Sequence, residues 1–192
     1  MIAGVILASG MSRRFGASNK LLARHQGVPM VRLTVSAFVD AGLEPVVVVL
    51  GHERELITPA LLGLRISLVA NPDYEQGMSR AMVRGLGTLD DDIAAAVIGV
   101  ADQPLLRPGT IRSLVDAYAD GRPAIVAPLY SGRRGNPVLF DRRLFPELLA
   151  VTGDQGGRSV VERHAAEARW VEVGDPGEIE DVDTPQDLLR LD

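Results

Sequence analysis

The chain contains no cysteine, which excludes disulfides, thiolate metal sites and a cysteine nucleophile. No stretch approaches the roughly 18 consecutive apolar residues that a membrane-spanning helix needs. The apolar start, MIAGVILA, lacks a basic region before it and runs directly into Ser9-Gly10, so it reads as a buried strand and not as a signal peptide. These absences predict a cytoplasmic protein without a membrane partner. Basic excess is missing as well: the net charge is −5. No global field draws in nucleic acid, and any anion site must be built locally. Repeats, linkers and low-complexity tracts are absent, and 192 residues predict a single domain over 1–192 with a sizeable core.

What is present is an alternation of short apolar runs with longer amphipathic ones. Val5 to Leu7, Val46 to Leu50, Ile66 to Ala70 and Ala94 to Val100 read as strands buried on both faces, the mark of a parallel sheet. Helices are predicted over 29–41, 53–62, 78–87 and 108–120, the last with Pro108 in its first turn and Gly121 past its end. The expected fold is a doubly wound, Rossmann-like α/β sheet, mostly parallel. Beyond residue 122 the rhythm loosens. AIVAPLY and GNPVLF read as strands around the turn-prone SGRRG, making the sheet mixed at one edge. Helices are expected at 141–150, 156–166 and 185–191, and a strand at 169–173.

Three stretches sit where chemistry is expected, at the carboxyl ends of strands. After the first strand comes a loop with two flexible glycines, Gly10 and Gly16, and three cations, Arg13, Arg14 and Lys20. It fits neither common phosphate motif. Lys20 arrives too late after Gly16 for a P-loop, and Ser12 breaks the dinucleotide pattern G-x-G-x-x-G. The cations must therefore supply much of any phosphate binding. In AVIGVADQPLL, Asp102 falls just past an apolar strand, well placed to hold Mg²⁺. In EIEDVDTPQDLL, Asp181 and Asp183 share a face if the segment is extended, and either one completes an oxygen shell. Thr184 there has the place of a helix cap, with Asp187 as its capping-box partner. His25, His52 and His164 do not cluster at metal spacing, and no Ser-His-Asp constellation exists. Asp90-Asp91-Asp92 reads as a solvated loop, Met78 and Met82 as core or pocket lining, and Trp170 as a packing residue.

Taken together, these stretches resemble the MobA-like NTP transferases, the nucleotidyltransferases that activate sugars, isoprenoid precursors and the molybdenum cofactor. LASGMSRRFGASNKLL is similar to their signature L-A-x-G-x-S-x-R-[MF]-G-…-K. Further matches are Gly51-His52, NPDYEQGMS (71–79), ADQPLL (101–106), RGNPVLF (134–140), GDQGGRSVVE (153–162) and DVDTPQDL (181–188). The later motifs look like the molybdenum cofactor cytidylyltransferase, or MocA-like, branch. The resemblance implies transfer of a nucleoside monophosphate from CTP to a phosphorylated pterin acceptor, molybdopterin, with release of pyrophosphate. It assigns Arg13, Lys20 and Asp102 as catalytic. Leu7, Ala8, Ser9, Gly10, Ser12, Arg13 and Lys20, with Asn71, Gly77 and Ser79, would hold the nucleotide. Gly135, Asn136 and Pro137 would face the acceptor. Asp102 with Asp181 or Asp183 would bind Mg²⁺ or Mn²⁺, and a molybdoenzyme or its chaperone would be a partner.

Four positions depart from the pattern. Ser9 stands where cytidylyl enzymes carry alanine and guanylyl enzymes glycine, so the base stays open between CTP and GTP. Ala101 replaces a glycine, Asn136 a histidine and Ala81 a serine, which leaves other small phosphorylated acceptors open. Arg133 and Arg134 read equally as a solvated turn or as a greeting for an anionic acceptor. His52 reads as structural or as site lining. A different class, an NAD(P)-dependent oxidoreductase on the same scaffold, is opposed by the broken G-x-G-x-x-G. A silent binding protein is opposed by the intact Lys20, Asp102 and Asp181.

Overall fold

In the computed structural model, which describes residues 1–12, 14–16 and 18–191, the apolar runs become strands of one mixed sheet. In chain order the first half contains β1 (Ile2–Ala8), β2 (Arg24–His25), β3 (Val28–Pro29), α1 (Met30–Asp40), β4 (Val46–Leu50), α2 (Arg54–Ile57), β5 (Ser67–Ala70), α3 (Met78–Leu86) and β6 (Ala95–Val100). The second half contains α4 (Pro108–Ala119), β7 (Ile125–Tyr130), β8 (Arg133–Arg134), β9 (Val138–Asp141), α5 (Phe145–Leu149), α6 (Arg158–Arg163), β10 (Ala168–Glu172) and α7 (Pro185–Leu189). The strand order is β10-β7-β9-β6-β1-β4-β5, with β8 folded onto β7. β1, β4, β5 and β6 are parallel, as are β7 and β10; β9 runs against both of its neighbours. This is the expected doubly wound α/β sheet, mixed at one side.

Side chains of β1 alternate between two apolar layers. Ile6 and Ala8 pack with Phe38 of α1 and Leu114 of α4, whereas Val5 and Leu7 pack with Met82 of α3 and Leu148 of α5. Each fully buried aliphatic or aromatic side chain contributes on the order of 1.5–3 kcal/mol, so both sheet faces are covered because both are apolar. Gly85 lets α3 lie tight on the sheet, since a Cβ there would come within 2.5 Å of Val5 Cγ1. That contact sets the last turn of α3 against the middle of β1.

Register aligns the carboxyl ends: Ala8 sits beside Leu50, and Leu7 beside Val100. The loops after β1, β4 and β6 therefore leave from one edge. β9 enters at that same edge, with Val138 paired to Ile98, and so brings 135–137 to it.

Several elements differ from expectation. The helix at 53–62 divides into α2 and a 3₁₀ turn, Thr58–Leu61, because Pro59 cannot donate to a continuing helix. The helix at 141–150 likewise begins as a 3₁₀ turn, Arg142–Leu144, before α5, with Pro146 in the first turn. β5 is not buried on both faces. It is the outer strand of the sheet, and Ser67, Leu68 and Ala70 are exposed. Two short hairpins add to the expected pattern: β2–β3, which no predicted strand covers, and β7–β8, whose second strand lies inside the SGRRG predicted as turn. Their turns, Gln26-Gly27 and Ser131-Gly132, have φ of 50° and 80° and of 47° and 82°, the left-handed pairs that close two-residue hairpins.

Candidate active site

The loop after β1 is folded back on itself by polar side chains. The Ser12 hydroxyl accepts from the Lys20 amide at 3.2 Å, and Asn19 Oδ1 accepts from the Leu21 amide at 3.0 Å while its amide group donates to Glu53 at 3.1 Å. Buried Leu21 anchors the 3₁₀ turn Lys20–Leu22. These bonds fix the backbone of Lys20, and its side chain reaches across to two distant carboxylates. Lys20 Nζ donates to Asp102 and, at 3.1 Å, to Asp183. Asp102 is held by β6, because the Ala101 amide bonds to the Leu7 carbonyl at 3.1 Å. The Asp102 carbonyl in turn accepts from the Val182 amide at 2.9 Å, which draws the 181–183 segment into place. Downstream, Thr184 and Asp187 form the expected reciprocal capping box of α7.

One lysine thus meets an acidic cluster. Burial works to lower the Lys20 pKa, but the adjacent Asp102 and then Asp183 outweigh it and hold it above the ordinary value. Asp181 is exposed to the two cavities it lines, with protein crowded around its carboxyl. That enclosure, with the charges of Asp102 and Asp183, pushes its carboxyl above the usual range, against the pull of Lys20 and of a hydrogen bond from Gln103. Arg14 reaches Asp183 from the solvent side at 2.9 Å. Lys20 is also the chain's single lysine, every other cationic side chain being arginine.

The donor set fits a hard divalent cation. Asp102 Oδ1 is buried and has no hydrogen-bond partner among the described residues, and the surrounding oxygens are carboxylate, the chemistry Mg²⁺ and Mn²⁺ prefer. Among the described residues no group of three or more acidic or imidazole side chains is arranged to hold a metal ion by itself. Mg²⁺ in phosphate chemistry typically takes only one or two protein carboxylates, the rest of its shell coming from substrate and water.

Two cavities meet at this cluster. The smaller, about 350 Å³, is lined by Leu7, Ala8, Ser9, Gly10, Lys20 and Asp102, among others. The larger, about 470 Å³, is lined by Asp181, Arg134, Gly135, Asn136 and Trp170, among others. Leu7, Met78, Val100 and Asp181 line both. Against Ser9 and Tyr74, which line the smaller cavity, Gly51 is a forced choice: a Cβ would lie 2.6 Å from Tyr74 Cβ and 2.7 Å from Ser9 Cβ.

Of the nucleotide residues named from the sequence, Leu7, Ala8, Ser9, Gly10, Lys20 and Gly77 line the smaller cavity together with Asp102, Asp181 and Asp183. Ser12 supports Lys20 from behind. Asn71 is buried, lines neither cavity, and donates to Ser9 Oγ at 3.5 Å. Ser79 is buried in α3 and also lines neither. Gly135 and Asn136 line the larger cavity, while Pro137 packs at Gly99. Arg13 lies outside the described residues.

Reading by sequence missed Asp154, whose Oδ1 accepts from the Met78 amide at 3.2 Å and so caps α3. Only the unusual GDQGG stretch signalled it. Trp170 is not simple packing, since it forms a wall of the larger cavity. Met78 lines both cavities and Met82 is core, as expected. His52 stands beside Tyr74, ring centroids 5.7 Å apart, while His164 lies between Glu147 and Glu167 on the surface. Among the described residues no helix is long and apolar enough to cross a membrane.

Comparison with known proteins places this geometry in context. Residues 4–168 match the MobA-like NTP transferase domain. Nicotine blue oxidoreductase of Paenarthrobacter nicotinovorans is 28% identical, covering 99% of this chain and 96% of that one. A probable molybdenum cofactor guanylyltransferase of Natronomonas pharaonis is 30% identical over 97% of this chain and 95% of its own. Among solved structures, Rv0371c of Mycobacterium tuberculosis superposes with a TM-score of 0.86 at 27% identity, covering 99% of this chain and 96% of that chain. Rv0371c has also been solved in complex with manganese, at a TM-score of 0.79 and again 27% identity, covering 99% and 97%.

Proposed function

Since the chain belongs to the MobA-like NTP transferase family, a family of nucleotidyltransferases, we propose that it transfers a nucleoside monophosphate from CTP to a phosphorylated pterin of the molybdopterin type. The observation that carries this reading is the meeting of Lys20 with Asp102 and Asp183 where the two cavities join. The smaller cavity takes the nucleotide and the larger the acceptor.

In the reaction, an acceptor phosphate oxygen bonds to the α-phosphorus, the bond from that phosphorus to the bridging oxygen breaks, and pyrophosphate leaves. Two anions must approach in line, so positioning and charge neutralisation supply most of the rate. Lys20, kept protonated by its carboxylate partners, is placed to exchange one of them for the leaving pyrophosphate, with Arg13 and Arg14 on the same loop. Ser12 holds the Lys20 backbone during that exchange. Asp102, with Asp181 or Asp183, would hold a divalent cation, Mg²⁺ or Mn²⁺, which when bound spreads the charge of the reacting phosphates. The apolar wall of Leu7, Met78 and Val100 limits water around the attacked phosphorus.

Ser9, which lines the smaller cavity and accepts a hydrogen bond from Asn71, is the side chain on which the choice of a pyrimidine rests. The guanylyltransferase named among the relatives makes GTP the competing outcome. The same reading takes residues 1–192 as one domain acting in the cytoplasm, without nucleic acid, and delivering its product to a molybdoenzyme or its chaperone.

A thermal-shift screen of the four NTPs with Mg²⁺ tests this reading. Binding stabilises by RT ln(1 + [L]/Kd), so CTP should raise the melting temperature most. If no NTP shifts it, the transferase reading fails. A second reading rests on the relative named as an oxidoreductase, 28% identical over nearly the whole chain, together with the aromatic wall of the larger cavity. Loss of NADPH absorbance with a quinonoid dye, in the absence of any NTP shift, would favour it.

A further inference from the structure

The larger cavity carries an unusual pairing among its lining side chains. The Arg134 guanidinium lies 4.4 Å from the centroid of the Trp170 ring, and both side chains line the cavity. Trp170 sits on β10, the outer strand beyond β7, so nothing in the sheet covers it from beyond. Arg134 is placed by its neighbour: the Gly135 amide bonds to the Pro128 carbonyl at 3.2 Å, and a Cβ on Gly135 would lie 2.4 Å from Ile179 Cβ. The backbone that presents Arg134 is therefore fixed from both sides.

Charge in the cavity is unevenly cancelled. Arg158 and Glu162 also line it, but they pair with each other at 2.9 Å. Arg133, next in sequence, pairs with Glu180 at 3.4 Å. Arg134 has no carboxylate partner among the described residues. Apolar side chains line the same cavity, among them Ile98, Ala127, Val138 and Phe140. An apolar lining, an indole under a guanidinium and a cation without a carboxylate partner among the described residues suit one kind of ligand. It is planar and heteroaromatic, and it carries negative charge near the ring.

We propose that Arg134 and Trp170 together form the specificity-determining element for the acceptor, selecting planar heteroaromatic ligands with an anionic substituent. The guanidinium stays over the indole face and pairs with the substituent, as planar arginine does at both aromatic and anionic groups. This rests on the reading of the larger cavity as the acceptor side.

Trp170 is the only tryptophan of the chain, so its fluorescence reports occupancy directly. The full chain is titrated with pterin-6-carboxylate, with unsubstituted pterin and with ribose 5-phosphate, free tryptophan amide serving as the inner-filter control. Saturable quenching is expected with both pterins, tighter for the carboxylate, and none with ribose 5-phosphate. Arg134 is exposed, so Arg134→Gln should fold normally. It should weaken the carboxylate about tenfold, the loss of one partly desolvated charged contact, and change unsubstituted pterin less than twofold. Absence of quenching by either pterin, or equal carboxylate affinity in Arg134→Gln, overturns the proposal. Failure is separable from that of the transferase reading. An NTP thermal shift without pterin quenching overturns the acceptor element alone, and pterin quenching without any NTP shift supports the element while removing the transferase.

Discussion

Replacing Lys20 with methionine keeps the aliphatic stem and removes the cation shared by Asp102 and Asp183. At 3.1 Å from Asp183, and with an effective dielectric near 20, one such contact is worth about 5 kcal/mol before desolvation. Burial of the lysine and of Asp102, each with 14% of the side chain exposed, removes part of that gain. Breaking one member of a buried pair nonetheless costs about 3–5 kcal/mol, because the charges left behind are uncompensated. Asp183 keeps Arg14, so the lower end applies, about 3 kcal/mol. In a chain of this size that lowers the melting temperature by about 6–12 °C. The assay is thermal melting in EDTA of the wild type, Lys20→Met, Asp102→Asn and the double variant. In the Lys20→Met background, Asp102→Asn should restore stability, since it relieves repulsion among the remaining carboxylates, giving a coupling energy of about 1–3 kcal/mol. Adding 5 mM Mg²⁺ should recover more stability in Lys20→Met than in the wild type. Additivity of the two substitutions to within about 0.5 kcal/mol would refute the acidic cluster as an electrostatic unit.

Four further outcomes are expected. Asp102→Ala should lower nucleotidyl transfer by a factor on the order of 10²–10⁴ in a pyrophosphate-release assay, and near-full activity would sink its proposed role. Gly51→Ala should cost about 1–3 kcal/mol in denaturant unfolding, because its methyl would overlap both Ser9 and Tyr74. Thr184→Ala removes one half of a capping box and should cost about 1 kcal/mol; an unchanged unfolding midpoint would contradict that geometry. His164 has its pKa raised by hydrogen bonds to Glu167 and Glu147. Its contribution is present in full below the ordinary imidazole value and fades as pH rises through the higher folded one. His164→Gln should therefore flatten the decline in melting temperature on going from about pH 6 to pH 8.

Sequence pattern reached the parallel half of the fold because each strand there is a continuous apolar run, buried by helices on both faces. It overestimated β5, where an apolar run borders solvent and only the pairing order shows it. It reached the SGRRG turn but not the two-residue strands β2, β3 and β8, which are too short to show any hydrophobic period. In the site, the ends of β1 and β6 were legible because they follow apolar runs directly. The pairing of Lys20 with partners 82 and 163 residues away was not, since only the tertiary path through Val182 and Asp102 creates it. Trp170 read as packing because a single aromatic on a strand gives no hint of which side is left uncovered. Asp154 caps a helix that begins 76 residues earlier, a distance at which local capping rules are silent.

That Lys20 is alone among arginines gives the molecule an unusual chemical simplicity. Reagents that acylate amines, or enzymes that transfer acyl groups to lysine, find one ε-amine in the whole chain, and it is the one bound to Asp102 and Asp183. Guanidinium groups elsewhere on the surface do not compete for them. The carboxylates that keep this amine protonated also keep it unreactive. Its rate of acylation, measured against that of the terminal amine, thus becomes a direct chemical gauge of how firmly the acidic cluster is closed.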